Sequence, residues 1–194
     1  MRAIDAIKLC ADLIGDNKLK STTEKFTSDT ELDAQEKKQL NYYTSVFNLA
    51  LRTIASEDLP LVKLENVLAD ENGKVYYRDF SEEVFMIKDV VDRKKNMRAQ
   101  FFALPFSVYL PEGNREYLVK YFCFPTKIEN LLAEAELPPY YTEDLVALLM
   151  ASDILLALSS LDDHTFFLGE YKKKVSKIKF NLSGRMTIPT KALI

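Results

Sequence analysis

The chain has 194 residues, enough for one substantial core or for one domain that carries an inserted subdomain. Hydrophobic residues make up 47% and charged residues 28%, which is typical of a soluble globular protein, and five glycines with seven prolines argue against low-complexity linkers. The formal net charge of −3 is unevenly spread: from Tyr171 to Ile194 there are six lysines, one arginine and no acidic residue. The preceding 170 residues therefore carry −10 and the terminus +7.

The cysteine spacing and the apolar runs indicate where the protein works. Cys10 and Cys123 fit no metal or redox spacing, which predicts free, buried thiols in a reducing compartment. The first 18 residues are too charged for a signal peptide. The longest apolar run, LVALLMASDILLAL, has 14 residues and contains Asp153, whereas a membrane span needs about 20. We expect a cytoplasmic protein, or one assembled there, without a membrane partner.

Two helices are predicted in the first 60 residues. Ile4, Ile7, Ala11 and Ile14 recur at helical spacing, and Gly15 is placed to end that helix. The polar residues 16–30 are predicted to form a loop. A long second helix is predicted to begin between residues 29 and 33 and to end before Pro60. Its apolar stripe consists of Leu40, Tyr43, Phe47, Ala50, Leu51 and Ile54, and its solvated side of Glu36, Lys37, Lys38 and Arg52.

Residues 61–124 have the composition of β-strands. Short runs of Val, Tyr, Phe and Ile are separated by turn residues. The run LVKLENVL leads into ADENGK, where Asn72-Gly73 predicts a tight hairpin to the next strand. In the last run, EYLVKYFCF, the odd-numbered residues 117–123 fall on one face and the even-numbered residues on the other. We expect an antiparallel subdomain of about four to six strands.

Two more helices are predicted towards the C-terminus. One is capped by Thr142 and is apolar on nearly every side, which places it at the centre of the fold. The other is predicted to begin at Asp162 or Asp163, and basic residues in its last turns suit the negative end of a helix. Its apolar stripe is Phe167, Tyr171, Val175 and Ile178.

The order of these elements predicts an α+β fold, because helices from both ends of the chain flank a strand-rich middle. We predict a helical domain formed by residues 1–60 and 138–180, an inserted antiparallel β subdomain at 61–125, and an extended C-terminal arm at 181–194.

The sequence gives little indication of catalysis. Its single histidine, His164, lies beside Asp162 and Asp163 at a predicted helix start, where a solvated or capping role is far more common than a catalytic or metal-binding one. The five glycines are scattered singly, so no phosphate-binding loop is indicated. Asp153, within the apolar helix, is either a functional acid or an edge residue facing Lys or Arg, and we favour the second. We expect no catalytic, cofactor or metal site.

The basic terminus is the feature that points to a partner. The last predicted helix carries Lys172, Lys173 and Lys174. The residues that follow this helix include both basic and apolar side chains, and an isolated tail in solvent would gain nothing from the apolar ones. Gly184 frees the chain from the helix and Pro189 prevents further helix. Such an arm can add a strand to another subunit's sheet, and its charge attracts it to an acidic surface. The candidate partner-binding residues are Lys172, Lys173, Lys174, Arg185, Met186, Ile188, Pro189, Leu193 and Ile194.

Three stretches give the chain a family resemblance. They are the opening MRAIDAIKLCADLIG, the strand and turn EYLVKYFCFP, and the helix pair PPYYTEDLVALLMASDILLALSSLDDHTFFLGEYKKKV. Together with the order of elements, they resemble the head-to-tail connector (adaptor) proteins of tailed bacteriophages and prophages.

The resemblance implies a structural virion protein rather than an enzyme. Such proteins form a ring, commonly a dodecamer, beneath the portal protein and join it to a tail or stopper protein around the channel through which dsDNA passes without sequence recognition. It assigns Arg185, Met186, Ile188, Pro189, Leu193 and Ile194 to portal contact. The expected location is the head-tail interface of the virion, after assembly in the host cytoplasm.

Two other functional classes remain open from the sequence. In a DNA-binding accessory protein, Lys172, Lys173, Lys174, Lys177 and Lys179 would follow phosphates, and binding would weaken steeply with salt. In an enzyme, the site would lie between the last two helices and the sheet and would use Asp153, His164 or tyrosines there. We consider the enzyme the least favoured of the three.

Overall fold

The computed structural model describes residues 1–184 of the chain. Within this part the chain forms two compact units, one made of Met1–Leu51 with the chain from Lys127 onward, the other of Arg52–Thr126. Helices from both ends of the sequence pack together in the first unit, and antiparallel sheets inserted between them form the second. The predicted α+β class is confirmed.

The helical unit is organised around α4, which packs against both α1 and α5. Its residues are buried on all sides, as the uniformly apolar sequence predicts. Gly15, with a φ of 70°, ends α1 where expected. The helices are α1 (Ala3–Ile14), α2 (Asn17–Thr27), α3 (Ala34–Thr53), α4 (Glu143–Ala157) and α5 (Leu161–Gly184), and α3 continues as a π-helical turn, Ile54–Asp58.

The loop predicted for residues 16–30 is wrong, because Asn17–Thr27 forms α2. The Asp16 carboxylate caps this helix by accepting a hydrogen bond of 2.9 Å from the Leu19 N–H. Leu19, Thr22 and Thr23 are buried, and the two threonine hydroxyls donate to main-chain carbonyls of the preceding turn. Internal bonding of this kind lets threonine occupy a buried helical position that its polar character hides in the sequence.

In α3 the predicted apolar stripe is buried, but the assignment of Glu36 to the solvated side is wrong. Glu36 is buried because its carboxylate accepts hydrogen bonds from the Lys25 ammonium, at 2.5 Å, and from the Asp33 N–H, at 3.0 Å. The second contact forms a capping box with Asp33, whose own carboxylate accepts from the Glu36 N–H.

The strand-rich unit contains two antiparallel sheets. The four-stranded sheet has the order β1-β7-β3-β4 and the three-stranded sheet the order β2-β6-β5. Tyr117, Val119, Tyr121 and Cys123 are buried on one face of β7, as its alternation predicts. The strands are β1 (Leu61–Leu68), β2 (Lys74–Tyr76), β3 (Val84–Asp92), β4 (Met97–Arg98), β5 (Phe102–Ala103), β6 (Ser107–Tyr109) and β7 (Glu116–Cys123).

The predicted hairpin at Asn72-Gly73 is wrong in its pairing. The turn forms, with a φ of 78° at Gly73, but β1 pairs with β7 and β2 pairs with β6. The turn is therefore a corner between two sheets rather than the end of a hairpin. The Gly73 carbonyl accepts a 2.6 Å hydrogen bond from the Leu110 N–H, and a Cβ at Gly73 would lie 2.3 Å from the Leu110 carbonyl oxygen, so only glycine fits here.

The last helix differs from its predicted bounds at both ends. It begins at Leu161, so Asp162 and Asp163 lie within its first turn rather than at a cap. It continues to Gly184, so residues 181–184 belong to α5 and not to the predicted extended arm. Residues 185–194, the remainder of that arm, lie outside the described part of the chain.

Candidate partner-binding surfaces

The structure places only the lysines among the nine predicted partner-binding residues. Lys172 and Lys173 are exposed on α5, and Lys174 is half-buried. Arg185, Met186, Ile188, Pro189, Leu193 and Ile194 lie outside the described residues, so their contacts stay a prediction.

Two of these lysines are paired with acids of their own unit. The Lys173 ammonium donates a hydrogen bond of 2.6 Å to the Glu170 carboxylate on the same helix. Lys174 forms an ion pair with Asp144, which fixes α5 against the first turn of α4. Burial opposes the ionisation of Asp144, but Lys174 and the Thr142 hydroxyl outweigh it and lower the pKa of this carboxyl. Lys174 thus has a role within the fold.

A second surface lies on the four-stranded sheet, on the side opposite its buried face. Along β1, Leu64 is 63% exposed and Leu68 is 68% exposed. Val62 and Met86 lie across from Phe122, one on each side, which makes the apolar surface continuous over three strands. We call this surface the sheet face; it consists of Val62, Leu64, Leu68, Met86, Leu118 and Phe122.

Aromatic rings extend the sheet face, and cations lie over them. The ring centroid of Phe85 is 5.7 Å from that of Phe122 and 4.9 Å from that of Phe124. The Lys88 ammonium lies 4.7 Å from the Phe122 centroid, and the Arg52 guanidinium 3.9 Å from the Phe124 centroid. Arg52 is held there by two hydrogen bonds to the Glu83 carboxylate, at 2.7 and 2.9 Å.

A third surface, which is also apolar, lies at the β5–β6 connection. Phe102 and Leu104 are exposed, and Phe106 is exposed to 81%. The Phe106 carbonyl accepts a hydrogen bond from the Tyr77 N–H, and the Leu104 N–H donates to the Ser107 carbonyl. The connection is therefore anchored by its main chain while its large side chains are open to solvent.

The turn between α4 and α5 exposes apolar side chains in the helical unit. Leu158 and Leu161 flank Ser159, whose positive φ of 61° reverses the chain. Phe166 follows on the exposed side of α5. Each unit therefore has its own exposed apolar surface.

His164 has a structural environment. Its Nδ1 lies 2.9 Å from the Ser152 hydroxyl and 3.0 Å from the Ser152 carbonyl, which joins α5 to the buried side of α4. The hydrogen bond that the Asp163 carboxylate accepts comes from the Ser160 hydroxyl and not from His164.

Asp153 is half-buried and takes part in a polar interaction. The identity of its partner stays a prediction.

A charged cluster stabilises the end of β3. Buried Asp92 accepts hydrogen bonds from the N–H groups of Lys94 and Lys95, at 2.9 and 3.0 Å, and one of 2.8 Å from Arg115. Burial opposes the ionisation of Asp92, but these donors outweigh it, so its pKa lies below the usual value. Glu112 contacts both Arg115 and Lys95. The donors close the turn after β3, which indicates a structural role.

Within residues 1–184, no group of three or more His, Cys, Asp or Glu is placed to hold a metal ion. In the same part of the chain, no helix is long and apolar enough to cross a membrane.

The sheet face is the feature that the sequence reasoning missed. Its signal is present in LVKLENVL, where apolar residues stand at 61 and 67 on the buried face and also at 62, 64 and 68 on the other face. An antiparallel strand with one solvated face alternates apolar with polar residues, so apolar residues on both faces indicate a covered strand.

The comparisons with known proteins leave the family resemblance as a hypothesis. No protein-family model matches the chain. No curated protein matches it in sequence.

Proposed function

We propose that the protein is a head-to-tail connector of a tailed bacteriophage or prophage, a structural ring component that joins the portal protein to the tail. The observation that carries the proposal is the occurrence of exposed apolar surfaces in both units: the sheet face, the β5–β6 connection and the α4–α5 turn. Surfaces of this kind usually mark sites of protein association. A ring component needs several of them, because it touches two neighbouring copies, the portal and the tail.

The family resemblance supplies the direction of assembly in this proposal. The C-terminal segment 185–194 reaches the portal, and the sheet face and the α4–α5 turn contact neighbouring copies or the tail. The acidic body suits a channel wall that repels passing DNA instead of holding it.

The alternative, a DNA-binding accessory protein, has less support. Binding to phosphates requires lysines whose charge is available, and Lys173 and Lys174 contact Glu170 and Asp144. The connector therefore accounts for more of the described surface.

The proposal is tested by co-expressing the chain with the portal protein from the same phage or prophage genome. Electron microscopy should show rings of the chain on the portal, while the purified chain alone need not form rings. Deletion of residues 185–194 should abolish portal binding, and Leu64→Lys should weaken contacts made by the sheet face. Asn41→Ala, at an exposed position on α3, serves as the control. Portal binding at full strength without residues 185–194 would contradict the assigned role of that segment, and failure of the full chain to bind portal would contradict the function.

A further inference from the structure

The first strand of the four-stranded sheet has an open edge. β1 lies at the end of the order β1-β7-β3-β4, so within residues 1–184 only β7 pairs with it. The Ala69 N–H donates to the Arg115 carbonyl, which continues the β1–β7 register, so the odd-numbered residues of β1 form the hydrogen bonds to β7. The main-chain N–H and C=O groups of the even-numbered residues therefore point to the open edge. These residues are Val62, Leu64, Asn66 and Leu68, and all four are exposed.

This edge lacks most of the features that prevent strand pairing. Proteins protect an exposed edge with a short strand, a bulge, a proline or charges on the inward side. β1 has eight residues, its register with β7 is unbroken, and Pro60 lies just outside it. The inward side does carry two charges, Lys63 and Glu65, but they have opposite signs. Whether they oppose pairing depends on what lies across from them.

A second copy of β1 matches these two charges in one register. When Leu64 lies opposite Leu64 of the other copy in an antiparallel pair, Lys63 of each copy lies directly opposite Glu65 of the other. Moving the twofold axis by one residue in either direction places Lys63 opposite Lys63, or Glu65 opposite Glu65. Opposite charges directly across a strand pair stabilise it, and like charges destabilise it. The charges therefore select the register centred on Leu64.

Both charged side chains are already held on the inward side of the strand. The Lys63 ammonium donates a hydrogen bond of 3.0 Å to the Glu82 carboxylate, and the Glu65 carboxylate accepts one of 2.7 Å from the Tyr121 hydroxyl. A partner strand thus meets charges whose positions are fixed before it binds, which reduces the entropy lost on association.

We propose that two copies of the chain pair in solution through antiparallel β1 strands, which joins their four-stranded sheets into one. The twofold axis passes between the two copies of Leu64, whose side chains meet on the sheet face. Val62 and Asn66 form main-chain hydrogen bonds on either side of the axis. On the inward side Lys63 lies across from Glu65, at the Cα separation of about 4.5 Å that is typical of a non-hydrogen-bonded pair. The contact is small, so the dimer is weak and depends on protein concentration.

The inference is independent of the proposed function and adds a constraint to it. A twofold pair is isologous, whereas copies within a ring contact one another head to tail. The β1 pair is therefore a form of the free protein, and it must separate if the chain enters a ring.

Sedimentation over a range of protein concentrations tests the dimer. The wild-type chain should show a reversible monomer–dimer equilibrium. Leu64→Pro should raise the dimer dissociation constant by about tenfold or more, because it removes the central N–H donor of each copy. The fold should survive, since this N–H points away from β7 and proline is tolerated on an edge strand. Met86→Ser is the control: Met86 is 47% exposed on the sheet face, but it lies on β3, away from the open edge.

Three outcomes of sedimentation overturn the proposal. The first is a wild-type chain that is monomeric at every concentration. The second is a dimer that Met86→Ser weakens as much as Leu64→Pro does, because the sheets would then pack face to face. The third is a dimer that survives Leu64→Pro and is lost on deletion of residues 185–194, because that segment would then make the contact.

Exchange of the two charges tests the register. Lys63→Glu alone places acids opposite acids at both ends of the pair, and Glu65→Lys alone places lysines opposite lysines. Each variant should dimerise about tenfold more weakly than the wild type. An equimolar mixture of the two variants should dimerise again, because every opposed pair then has opposite signs. Loss of a contact within one chain would not be repaired by mixing, so a mixture as weak as its components contradicts the pairing.

Cysteine cross-linking gives an independent test of the register. Leu64→Cys and Leu68→Cys replace leucines of similar exposure on the same strand, and the native cysteines are buried and do not interfere. Leu64→Cys should give a disulfide-linked dimer under mild oxidation, since the two Cα atoms lie about 5.5 Å apart, within disulfide range. Leu68→Cys should not, because its two copies lie about 26 Å apart at about 3.3 Å per residue. Cross-linking at residue 68, or none at residue 64, excludes this register. These experiments use the chain without portal, so their outcome is separate from that of the portal-binding test.

Discussion

The side-chain amide of Asn48 forms two hydrogen bonds with the main chain of Ile128, eighty residues later in the sequence. Its Nδ2–H donates to the Ile128 carbonyl at 3.0 Å, and its Oδ1 accepts from the Ile128 N–H at 2.8 Å. A single side chain on α3 thus satisfies both polar groups of a residue in the segment that leads to α4. This contact joins the two distant parts of the chain that make up the helical unit.

Replacement of Asn48 should destabilise the helical unit. Asn48→Ala leaves two main-chain groups without their partner and should lower the free energy of unfolding by about 2 kcal/mol. Asn48→Asp should lower it as well, because it replaces a donor with an acceptor opposite the Ile128 carbonyl. Urea unfolding followed by circular dichroism measures both. Asn41→Ala, at an exposed position of the same helix, should change stability little, and an equal loss there would contradict the assignment.

The Asp92 carboxylate should make stability depend on pH. Because its pKa is lowered in the folded state, its stabilising contribution is complete above the unfolded-state pKa of about 3.9 and is lost as pH falls through the folded-state value. Asp92→Asn should therefore be destabilising at neutral pH, and the difference from wild type should shrink in acid. Thermal unfolding from neutral to acidic pH measures this. The control is Glu129→Gln, which should change stability little at neutral pH because the Glu129 side chain is mainly solvent-exposed.

The thiols should be unreactive in the folded protein. Cys10 and Cys123 are both buried, and burial raises the pKa of Cys10 to about 12, so little thiolate is present at neutral pH. Ellman's reagent at mildly alkaline pH should react with the native chain only as fast as it opens, and should detect both cysteines in denaturant. A Lys173→Cys variant, with a thiol on the exposed side of α5, should react at once and controls for the reagent. Immediate reaction of the native cysteines would contradict their burial.

Gly73 and Gly15 provide a matched pair. Both have positive φ, at 78° and 70°, but a Cβ at Gly73 would lie 2.3 Å from the Leu110 carbonyl oxygen, whereas at Gly15 nothing lies within 4 Å. Gly15→Ala should cost about 1 kcal/mol from backbone strain alone. Gly73→Ala adds a steric clash to that strain and should cost considerably more. Equal losses for the two variants, measured by urea unfolding, would argue against the close approach at the corner between the sheets.

Asp16 should stabilise α2 and its contact with α3. Its carboxylate accepts from the Leu19 N–H at 2.9 Å, the Tyr43 hydroxyl at 3.0 Å and the Gln39 amide at 3.2 Å. Asp16→Ala should lower the free energy of unfolding by about 2 kcal/mol, since it removes a helix cap and two further bonds. Asp12→Ala is the control, because the exposed Asp12–Lys20 ion pair should contribute less than about 1 kcal/mol. Hydrogen exchange should show faster opening of α2 in Asp16→Ala alone.

The sequence was sufficient for the elements whose burial follows from a simple pattern. The apolar run of α4 identifies a central helix, and the alternation in β7 identifies a strand with one buried face. It was insufficient where tertiary contacts change the meaning of a residue. The threonines of α2 are typical of a loop in sequence, but their hydroxyls donate hydrogen bonds to carbonyls of the helix. Glu36 is typical of a solvated helix face, but its carboxylate accepts a hydrogen bond from Lys25.

The pairing of strands that are distant in the sequence could also not be predicted from local sequence patterns. A turn at Asn72-Gly73 favours pairing of the strands on either side, yet β1 forms its ladder with β7, so Leu61 lies opposite Cys123. The candidate surfaces also differ in whether a local sequence pattern is enough to identify them. The lysines of α5 were recognised by charge, whereas the sheet face depends on which strands are neighbours, and only the topology places Val62 and Met86 beside Phe122.

The packing of α1 against α4 has a consequence for synthesis of the chain. The apolar side of α1 emerges from the ribosome before α4, the helix that covers it, because α4 is translated about 130 residues later, which takes on the order of ten seconds at bacterial or eukaryotic elongation rates. During that interval Ile4 and Ile7 have no native partner on α4. The nascent chain should therefore be a client of ribosome-associated chaperones until α4 is made.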